Sequence, residues 1–296
     1  MLYHAFPDLS WLKRQAESRF ANRKTWDGEP TATKGWPNVM LNVKSGKTLR
    51  DNIPGPLSLF SNVSGSSEVT VDNRTTVVGE DYFFISNNTQ RYTLEIKSAE
   101  TFNIHFAENI LEGISNNFLD ENDETERGFY NKLYPRDEVV KALQRQLVEP
   151  GKTRLEYGEL LTKLAAHLLI VNRGEKLKLD YLNTARVSTR QEILRRLHLA
   201  TDHIYSNYRS DISLDDLSRV SMLSKFHFLR AFQQAFGKSP HKFVNEVRLE
   251  KAKQLLLTEI PVVEISKNVG INDSSSFSRL FKKQTGLYPT QFRSQA

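Results

Sequence analysis

The chain has 296 residues, with 41 Lys and Arg against 35 Asp and Glu, and it contains no cysteine. This length accommodates two packed domains, and the lack of cysteine excludes disulfides, thiolate zinc sites, iron–sulfur clusters and a cysteine nucleophile. No apolar stretch approaches the roughly 18–20 residues of a membrane span, and Met1 opens no basic-then-apolar signal peptide, so we expect a cytoplasmic protein without a membrane segment.

The first part of the chain is predicted to be rich in β-strands. Short runs of β-branched and aromatic residues lie between Pro54 and Phe106, separated by turn-forming clusters at 62–67 and 87–89. The predicted strands are 57–60, 69–71, 82–85, 92–96 and 101–106. Such spacing is typical of a small antiparallel sandwich or barrel. Residues 1–50 show no usable periodicity, and no role is assigned to them.

The second part is predicted to be helical. An acidic run at 120–126 separates the two parts and is most simply a solvated loop. From Arg136 onward the apolar residues follow helical spacing. The sequence therefore predicts an α+β multidomain protein with a β-rich domain at 1–150, a helical linker at 151–189 and an all-α domain at 190–296.

Positive charge is concentrated towards the C-terminal end. Residues 186–296 hold 18 Lys and Arg against 10 Asp and Glu, a net charge of +8, whereas residues 1–185 hold 23 against 25. A basic segment joined to a near-neutral one favours a polyanion-binding domain carried by another domain. On charge alone, a merely solvated basic surface is an equally good interpretation.

The same basic segment contains an internal repeat. The pattern Phe-x-Arg-x-Phe-x4-Gly-x2-Pro-x2-Phe begins at Phe228 and recurs at Phe277, with every spacing kept and an offset of 49 residues. Upstream, Leu217-Ser218 matches Ile265-Ser266 at an offset of 48, which places one inserted residue in the turn. The repeated unit is therefore a short helix, a turn and a longer helix.

Capping residues indicate where these helices begin and end. Ser213 and Asp216 resemble a capping box in which Asp replaces the usual Glu or Gln. Ser224 and Asp273 suit the N-caps of the two longer helices. The remaining signals are Pro261 for a first helical turn, and Gly237 and Gly286 for left-handed C-caps.

Each longer helix has a predictable outer face. The phenylalanines recur at helical spacing and form the core, and a residue two positions from a buried one points about 200° around the helix. Arg230 and Arg279 must therefore face outward. The predicted outer residues are Phe226, Leu229, Arg230 and Gln233 on the first helix, and Ser274, Ser275, Ser278, Arg279 and Lys282 on the second.

These outer residues match the chemistry of the DNA major groove. Arginine bonds guanine bidentately, serine bonds varied base edges, and apolar groups meet thymine methyls. A helix predicted at 244–258 joins the two units and, at 1.5 Å per residue, spans roughly 22 Å. Such a spacer could set two recognition helices about one DNA turn apart, so that one chain reads two successive major grooves. A helical bundle in which the Phe repeat is only core leaves the outward arginines and the charge unexplained.

Residues 195–293 resemble the AraC/XylS-type transcription regulators. The stretches SKFHFLRAFQQAFGKSPHKFV and INDSSSFSRLFKKQTGLYPTQFR carry this resemblance. It implies two helix-turn-helix units joined by a helix, with both recognition helices reading bases. Carried over by position, the base-reading residues are Phe226, Leu229, Arg230, Ser274, Ser275, Ser278 and Arg279. The chain departs from the family at Met222, where glycine is usual in the turn, and at Leu229, where a polar residue is frequent.

The β-rich part is similar, through residues 79–85 and 87–90, to the small cupin-like β-barrel domain common in such regulators. This similarity implies a small-molecule effector and a homodimer formed through a helix at 136–148 or 153–171. The resemblance to the family implies RNA polymerase as a partner. Gln90 and Arg91 stand where metal-binding cupins have a histidine pair, and His105 is isolated, so we expect no metal or other cofactor. The candidate effector-binding residues are Tyr82, Phe84 and Tyr92, for which core packing is the competing role.

The sequence therefore predicts a transcription regulator that binds specific double-stranded DNA, an effector-responsive activator and not an enzyme. Two alternatives remain. The chain could be a non-regulatory nucleic-acid-binding protein, architectural or directed at RNA. It could also be a cupin-like enzyme with a helical tail, although it shows no His-x-His pair, Ser/His/Asp set or phosphate-binding glycine loop.

Overall fold

The computed structural model describes residues 2–6, 37–87, 90–107, 110, 114, 128–184 and 186–295. The chain divides into two compact units, Met1–Lys176 and Leu177–Ala296. The segment 151–189, predicted as a helical linker, thus contributes to both units, and the predicted boundaries at 150 and 189 stay predictions. The acidic run at 120–126 lies outside the described residues.

The first unit is built on one eight-stranded sheet. Its strands are β1 (Leu2–Tyr3), β2 (Val39–Ser45), β3 (Thr48–Pro54), β4 (Ser58–Val71), β5 (Arg74–Val78), β6 (Tyr82–Ser86), β7 (Arg91–His105) and β8 (Leu133–Pro135). The hydrogen-bonded order is β1-β2-β7-β4-β6-β8, with β3 added to β7 and β5 added to β4. The β-rich region is therefore confirmed. The cupin-like barrel is not confirmed, because the pairings among the described residues leave the sheet open.

Two long strands replace four of the short strands that the sequence predicts. β4 contains the segments predicted at 57–60 and 69–71 almost entirely, and β7 does the same for 92–96 and 101–106. The cluster at 62–67, predicted as a turn, lies inside β4, where the register against β7 shifts twice. Gly65 has a φ of 75° there. Because a bulge absorbs extra residues without ending a strand, this cluster bends the sheet and does not reverse the chain.

The sheet has two buried faces. Residues directly opposite each other on paired strands lie on the same face. One face, which includes Leu59, Phe83 and Ile104, packs in the main hydrophobic core against α1 (Glu138–Val148) and α2 (Arg154–Lys176). The opposite face is called the inner face here, and it carries Phe60, Phe84, His105 and the residues paired with them.

Helices α1 and α2 occupy the segments predicted as helices at 136–148 and 153–171. Asp137 caps α1 by accepting a hydrogen bond from the Val140 N–H at 2.9 Å, and its other carboxylate oxygen lies 2.7 Å from Nε2 of His167 on α2. At the far end of α2, Glu175 forms a salt bridge of 3.1 Å with Lys132, just before β8. These contacts hold the two helices to each other and to the sheet.

The second unit is helical, as predicted. Its helices are α3 (Lys178–Tyr181), α4 (Val187–Asn207), α5 (Leu214–Ser221), α6 (Lys225–Phe236), α7 (Pro240–Leu256), α8 (Val262–Asn268), α9 (Ser274–Thr285) and α10 (Pro289–Gln295). The helix predicted at 244–258 is α7, which begins earlier because the Ser239 hydroxyl caps it and proline fits its first position. None of the helices described in either unit is both long and apolar enough to span a membrane.

Candidate nucleic-acid interface

The first helix-turn-helix unit consists of α5 and α6. The Ser213 hydroxyl accepts a hydrogen bond from the Asp216 N–H at 3.1 Å, and the Asp216 carboxylate accepts one from the Ser213 N–H at 3.1 Å, which completes a capping box. Hydrogen bonds from the Ser213 hydroxyl and then from its backbone N–H lower the pKa of Asp216. The local sequence thus fixes the start of α5.

The turn of this unit is left-handed. Met222 ends α5 with a φ of 53° and a ψ of 37°, and its carbonyl accepts a hydrogen bond from Arg196 at 2.9 Å. The Ser224 hydroxyl then caps α6 by accepting from the His227 N–H, and Gly237 ends α6 with a φ of 67°. Helix α6 therefore has the start and the end that its sequence predicts.

An aromatic core sets the rotation of α6. Phe228 and Phe232 are fully buried, and the Phe232 ring lies 4.5 Å from that of Phe236 and 5.5 Å from that of Phe243 on α7. Because these rings occupy the inner side of the helix, residues two positions away must point out of the unit.

The predicted outer residues of α6 do lie together on its exposed side. Phe226 and Leu229 are 77% and 38% exposed, and Arg230 and Gln233 are exposed beside them. At about 100° per residue, the four positions fall within roughly 100° of one another around the helix axis. We call these four residues the α6 face.

The second helix-turn-helix unit consists of α8 and α9 and repeats this construction. Gly270 turns the chain with a φ of 81°, and a Cβ at this position would lie 2.5 Å from the Arg209 carbonyl oxygen, so glycine is required. Asp273 caps α9 by accepting from the N–H groups of Ser275 and Ser276. Gly286 ends α9 with a φ of 82°.

Helix α7 contributes to the cores of both helix-turn-helix units. Phe243 near its start packs on the aromatic rings of α6, with 5.6 Å between its ring and that of Phe236. Leu249 and Leu256 further along α7 lie in a second buried cluster with Phe277 and Phe281 of α9. The spacer helix therefore positions the two longer helices relative to each other.

The outer residues of α9 are more polar than those of α6. Ser275, Arg279 and Lys282 are exposed, whereas Ser274 and Ser278 are half-buried. We call these five residues the α9 face. The Arg279 guanidinium donates to the Ser276 hydroxyl at 3.3 Å, and the Lys282 ammonium lies 4.1 Å from the centre of the Tyr288 ring.

Two arginines that the sequence analysis counted only as positive charge hold backbone carbonyls. Arg248 on α7 donates to the carbonyls of Tyr208 and Ser210, both at 2.8 Å. Arg293 donates to the carbonyls of Leu256 and Ile260. Their spacing in the sequence gives no signal for this role, because the carbonyls lie 33 to 40 residues away along the chain.

Several other cations in the helical unit are already paired with carboxylates. Lys225 lies 2.5 Å from Asp215, and Lys238 lies 2.6 Å from Glu246. Hydrogen bonds from Arg195 and then Arg196 lower the pKa of Glu192 to about 2. The positive charge that is free to meet a polyanion is therefore smaller than the net charge of the segment.

The structure also places the three residues predicted to bind an effector. Tyr92 and Phe84 are buried, and Tyr82 is half-buried at the start of β6. Phe60 lies directly opposite Phe84 on the inner face, and its ring centre is 4.8 Å from that of Tyr92. Burial raises the pKa of Tyr92. Two of the three candidates therefore lie beside Phe60: Phe84 is its cross-strand neighbour, and Tyr92 packs against its ring.

A buried histidine lies beside these aromatic rings. The Ser58 hydroxyl and Nδ1 of His105 are 2.7 Å apart, and burial lowers the pKa of His105 to about 4. Among the described residues, no group of three or more His, Asp or Glu side chains is arranged to hold a metal ion.

Comparisons with known proteins agree with the helical geometry. The profile of a helix-turn-helix domain matches residues 217–295. The arabinose operon regulatory protein of Escherichia coli is 30% identical over 56% of this chain and 55% of its own length, and the Msm operon regulatory protein of Streptococcus mutans is 28% identical over 48% of each chain. The chain spans about half the length of the curated relatives it matches. Among solved structures, the C-terminal domain of AraT, a response regulator from Geobacillus stearothermophilus, is 31% identical over 34% of this chain and 85% of its own, with a TM-score of 0.33.

Proposed function

We propose that this chain, which belongs to the AraC/XylS-type transcription regulators through its double helix-turn-helix domain, binds specific sites in double-stranded DNA and regulates transcription from them. The observation that carries the proposal is the pair of outward faces on α6 and α9, each backed by its own buried phenylalanines. A helical bundle whose outer residues only face solvent would not explain two such faces at equivalent positions of a repeat.

In this proposal the two longer helices enter successive major grooves. Arg230 and Arg279 bond guanine through O6 and N7, and Gln233 and the α9 serines bond other base edges. Lys282 and further lysines contact phosphates, so that affinity falls steeply with salt. Helix α7, with 17 residues, spans about 25 Å and sets the separation of the two helices.

Selection of random duplexes by the full chain tests this function. We expect two defined sequence blocks, with centres about one DNA turn apart. Arg230→Ala should remove the preference in one block and Arg279→Ala in the other, while Lys253→Ala, in an exposed salt bridge on α7, serves as the matched control. Binding that depends on salt but selects no sequence, or that prefers RNA, contradicts the proposal.

We also propose that the first unit senses a small effector at the inner face. Buried polar atoms normally have hydrogen-bond partners. Four inner-face or adjacent atoms do not: Oδ1 of Asn62, Oγ1 of Thr76, Oγ of Ser86 and Nδ2 of Asn103. An uncharged ligand with donors and acceptors would satisfy them beside Phe84 and Tyr92. These four residues are not indicated by the sequence, because only strand pairing places them on or beside one face of the sheet.

Ligand-dependent thermal unfolding tests this assignment. Uncharged hydroxylated compounds should raise the unfolding temperature of the full chain and change its affinity for the selected site, and Asn103→Leu should weaken the first effect. Lys97→Leu, at an exposed position on β7, is the control. If binding of every stabilising compound leaves DNA affinity, site choice and transcription unchanged, the sensing role is contradicted.

A homodimer, RNA polymerase and a cytoplasmic location complete the proposal. Leu155 and Ile170 on α2 are 73% and 61% exposed, which supports α2 as the dimer helix. Leu155→Glu should then lower the mass measured by sedimentation equilibrium from dimer to monomer. An activator contacts RNA polymerase at the promoter. The proposed location is therefore the cytoplasm, where the polymerase and the DNA are.

A further inference from the structure

The α6 face and the α9 face differ in chemistry at equivalent positions. With the repeat offset of 49, Arg230 corresponds to Arg279, whereas Phe226 and Leu229 correspond to Ser275 and Ser278. The two units thus share one cation at the same place on each helix. They differ in what flanks that cation, which is apolar on α6 and hydroxylic on α9.

Phe226 is unusual for a residue on the surface of a folded unit. It lies in the first turn of α6 and is 77% exposed, although an aromatic ring in water gains stability by burial. Leu229 extends the apolar surface by one helical turn. Both flank Arg230, so any partner that covers them must be apolar at two points and accept hydrogen bonds at a third.

The major groove of DNA offers this combination. Thymine alone among the bases presents a methyl group there, and guanine presents two acceptors to arginine. A phenylalanine ring against any other base edge would leave donors or acceptors without partners, which is costly. The N-terminal residues of a recognition helix are also the ones that contact base edges, and Phe226 is the second residue of α6.

We propose that Phe226 and Leu229 read thymine 5-methyl groups, so that the half-site bound by α6 contains thymines next to a guanine and the half-site bound by α9 does not depend on methyl groups. This inference rests on the proposed function. Phe226 and Leu229 are about 4.5 Å apart along the helix axis, and base pairs are stacked about 3.4 Å apart. The two side chains therefore meet thymines one or two steps apart.

The asymmetry gives the chain a direction on DNA. A half-site selected by methyl groups cannot be exchanged with one selected through hydroxyl and cationic contacts. The complete site for one chain is therefore not a palindrome, and its orientation sets which side of the site the rest of the protein occupies.

Replacing thymine by deoxyuridine tests the inference, because this change removes only the methyl group. The probe is the best duplex from selection with the full chain, and the block that Arg230→Ala disrupts identifies the half-site under α6. We expect about fourfold weaker binding for each contacted thymine that is replaced. The same replacements in the other block should leave affinity unchanged.

Matched variants assign the effect to the two side chains. The double variant Phe226→Ser and Leu229→Ser, which gives α6 the residues of α9, should bind thymine and uracil duplexes equally well. Arg279→Ala should keep the discrimination. All three substituted positions are exposed, and thermal unfolding confirms that the variants fold.

Three results would overturn the inference. Equal affinity of the unmodified chain for both duplexes, with site selection intact, overturns it and leaves the proposed function standing. Discrimination that persists in the double serine variant shows that other residues read the methyl groups. Absence of any site selection overturns the inference and the proposed function together.

Discussion

Met222 and Gly270 are equivalent residues of the two helix-turn-helix turns, and both have positive φ angles, of 53° and 81°. Only the second is sterically required to be glycine. A Cβ at Gly270 would meet the Arg209 carbonyl, whereas the Met222 side chain is largely exposed. This difference explains how the first helix-turn-helix unit tolerates methionine at the position where the second has glycine.

Met222→Gly should therefore stabilise the protein. A left-handed residue with a Cβ is strained by about 1–2 kcal/mol, and the greater freedom of glycine in the unfolded chain offsets about 0.4–1 kcal/mol of that. We expect a net gain of about 0.5–1 kcal/mol in the free energy of unfolding, measured by urea denaturation. Gly270→Ala is the opposite case and should cost about 2 kcal/mol or more. Equal effects of the two changes would contradict this account of the turns.

His105 predicts a pH dependence for the first unit. Its pKa is about 4 in the folded chain, against 6.5 in the unfolded chain. The unfolded state therefore binds more protons between these values, so the histidine contributes full stability above pH 6.5 and loses it as the pH falls to 4. The shift corresponds to about 3 kcal/mol. Urea denaturation of the β-rich unit within the full chain, repeated at several pH values, measures this dependence. His105→Gln should flatten it. A histidine variant with the wild-type slope would assign the effect to another group.

At the scale of elements, the tie between α2 and β8 depends on a nearly buried ion pair. The side chains of Lys132 and Glu175 are 4% and 12% exposed, and the Lys132 ammonium also lies 4.5 Å from the centre of the Tyr134 ring. Tyr134 is on β8 and stacks on Phe83 of β6 at 5.2 Å. The last turn of α2 is thereby connected to the sheet.

Removing one partner of this pair should cost far more than removing both. Lys132→Met leaves a buried carboxylate without its cation and should destabilise the protein by about 3–5 kcal/mol. The double variant Lys132→Met and Glu175→Leu should recover most of this loss, since neither charge is then buried. The control is Lys97→Met in an exposed pair with Glu68, for which we expect less than about 1 kcal/mol. Additive losses in the double variant would show that the two side chains do not interact.

Elements with local signals were predictable from the sequence, whereas elements that depend on pairing were not. Ser213, Ser224 and Asp273 satisfy N–H groups two or three residues away, so the helix starts could be predicted. The continuity of β4 through 62–67 depends on β7, about 35 residues further along the chain, and nothing local indicates it. Strands β1, β2, β3 and β8, which the sequence does not predict, likewise depend on pairing with distant strands. Strand β5, which it also does not predict, pairs with β4.

The outer faces were predictable for a different reason. Phe228 and Phe277 mark the core side of each long helix, and helical periodicity then places Arg230 and Arg279 opposite, where the structure has them. Periodicity alone does not show which side chains have partners within the protein. That Lys282 lies over a tyrosine ring, and that Arg248 holds two carbonyls, follows only from the packed structure.

At the scale of the whole molecule, the chain combines a β-rich unit with a helical unit that contains two helix-turn-helix pairs. We propose that one chain reads two successive major grooves, with Arg230 in one and Arg279 in the other. Each arginine is exposed and lies on the side of its helix opposite the buried phenylalanines. Reading of two grooves therefore depends on which guanines each arginine contacts and on where those guanines lie along one DNA strand.

Methylation interference at guanine N7 on the selected duplex tests this claim most directly, because N7 is exposed only in the major groove. We expect two interfering guanine clusters about one helical turn apart. Arg230→Ala should abolish interference only in the first cluster and Arg279→Ala only in the second. Loss of the same cluster in both variants would contradict reading of two grooves by one chain. Interference that neither variant changes would contradict it as well.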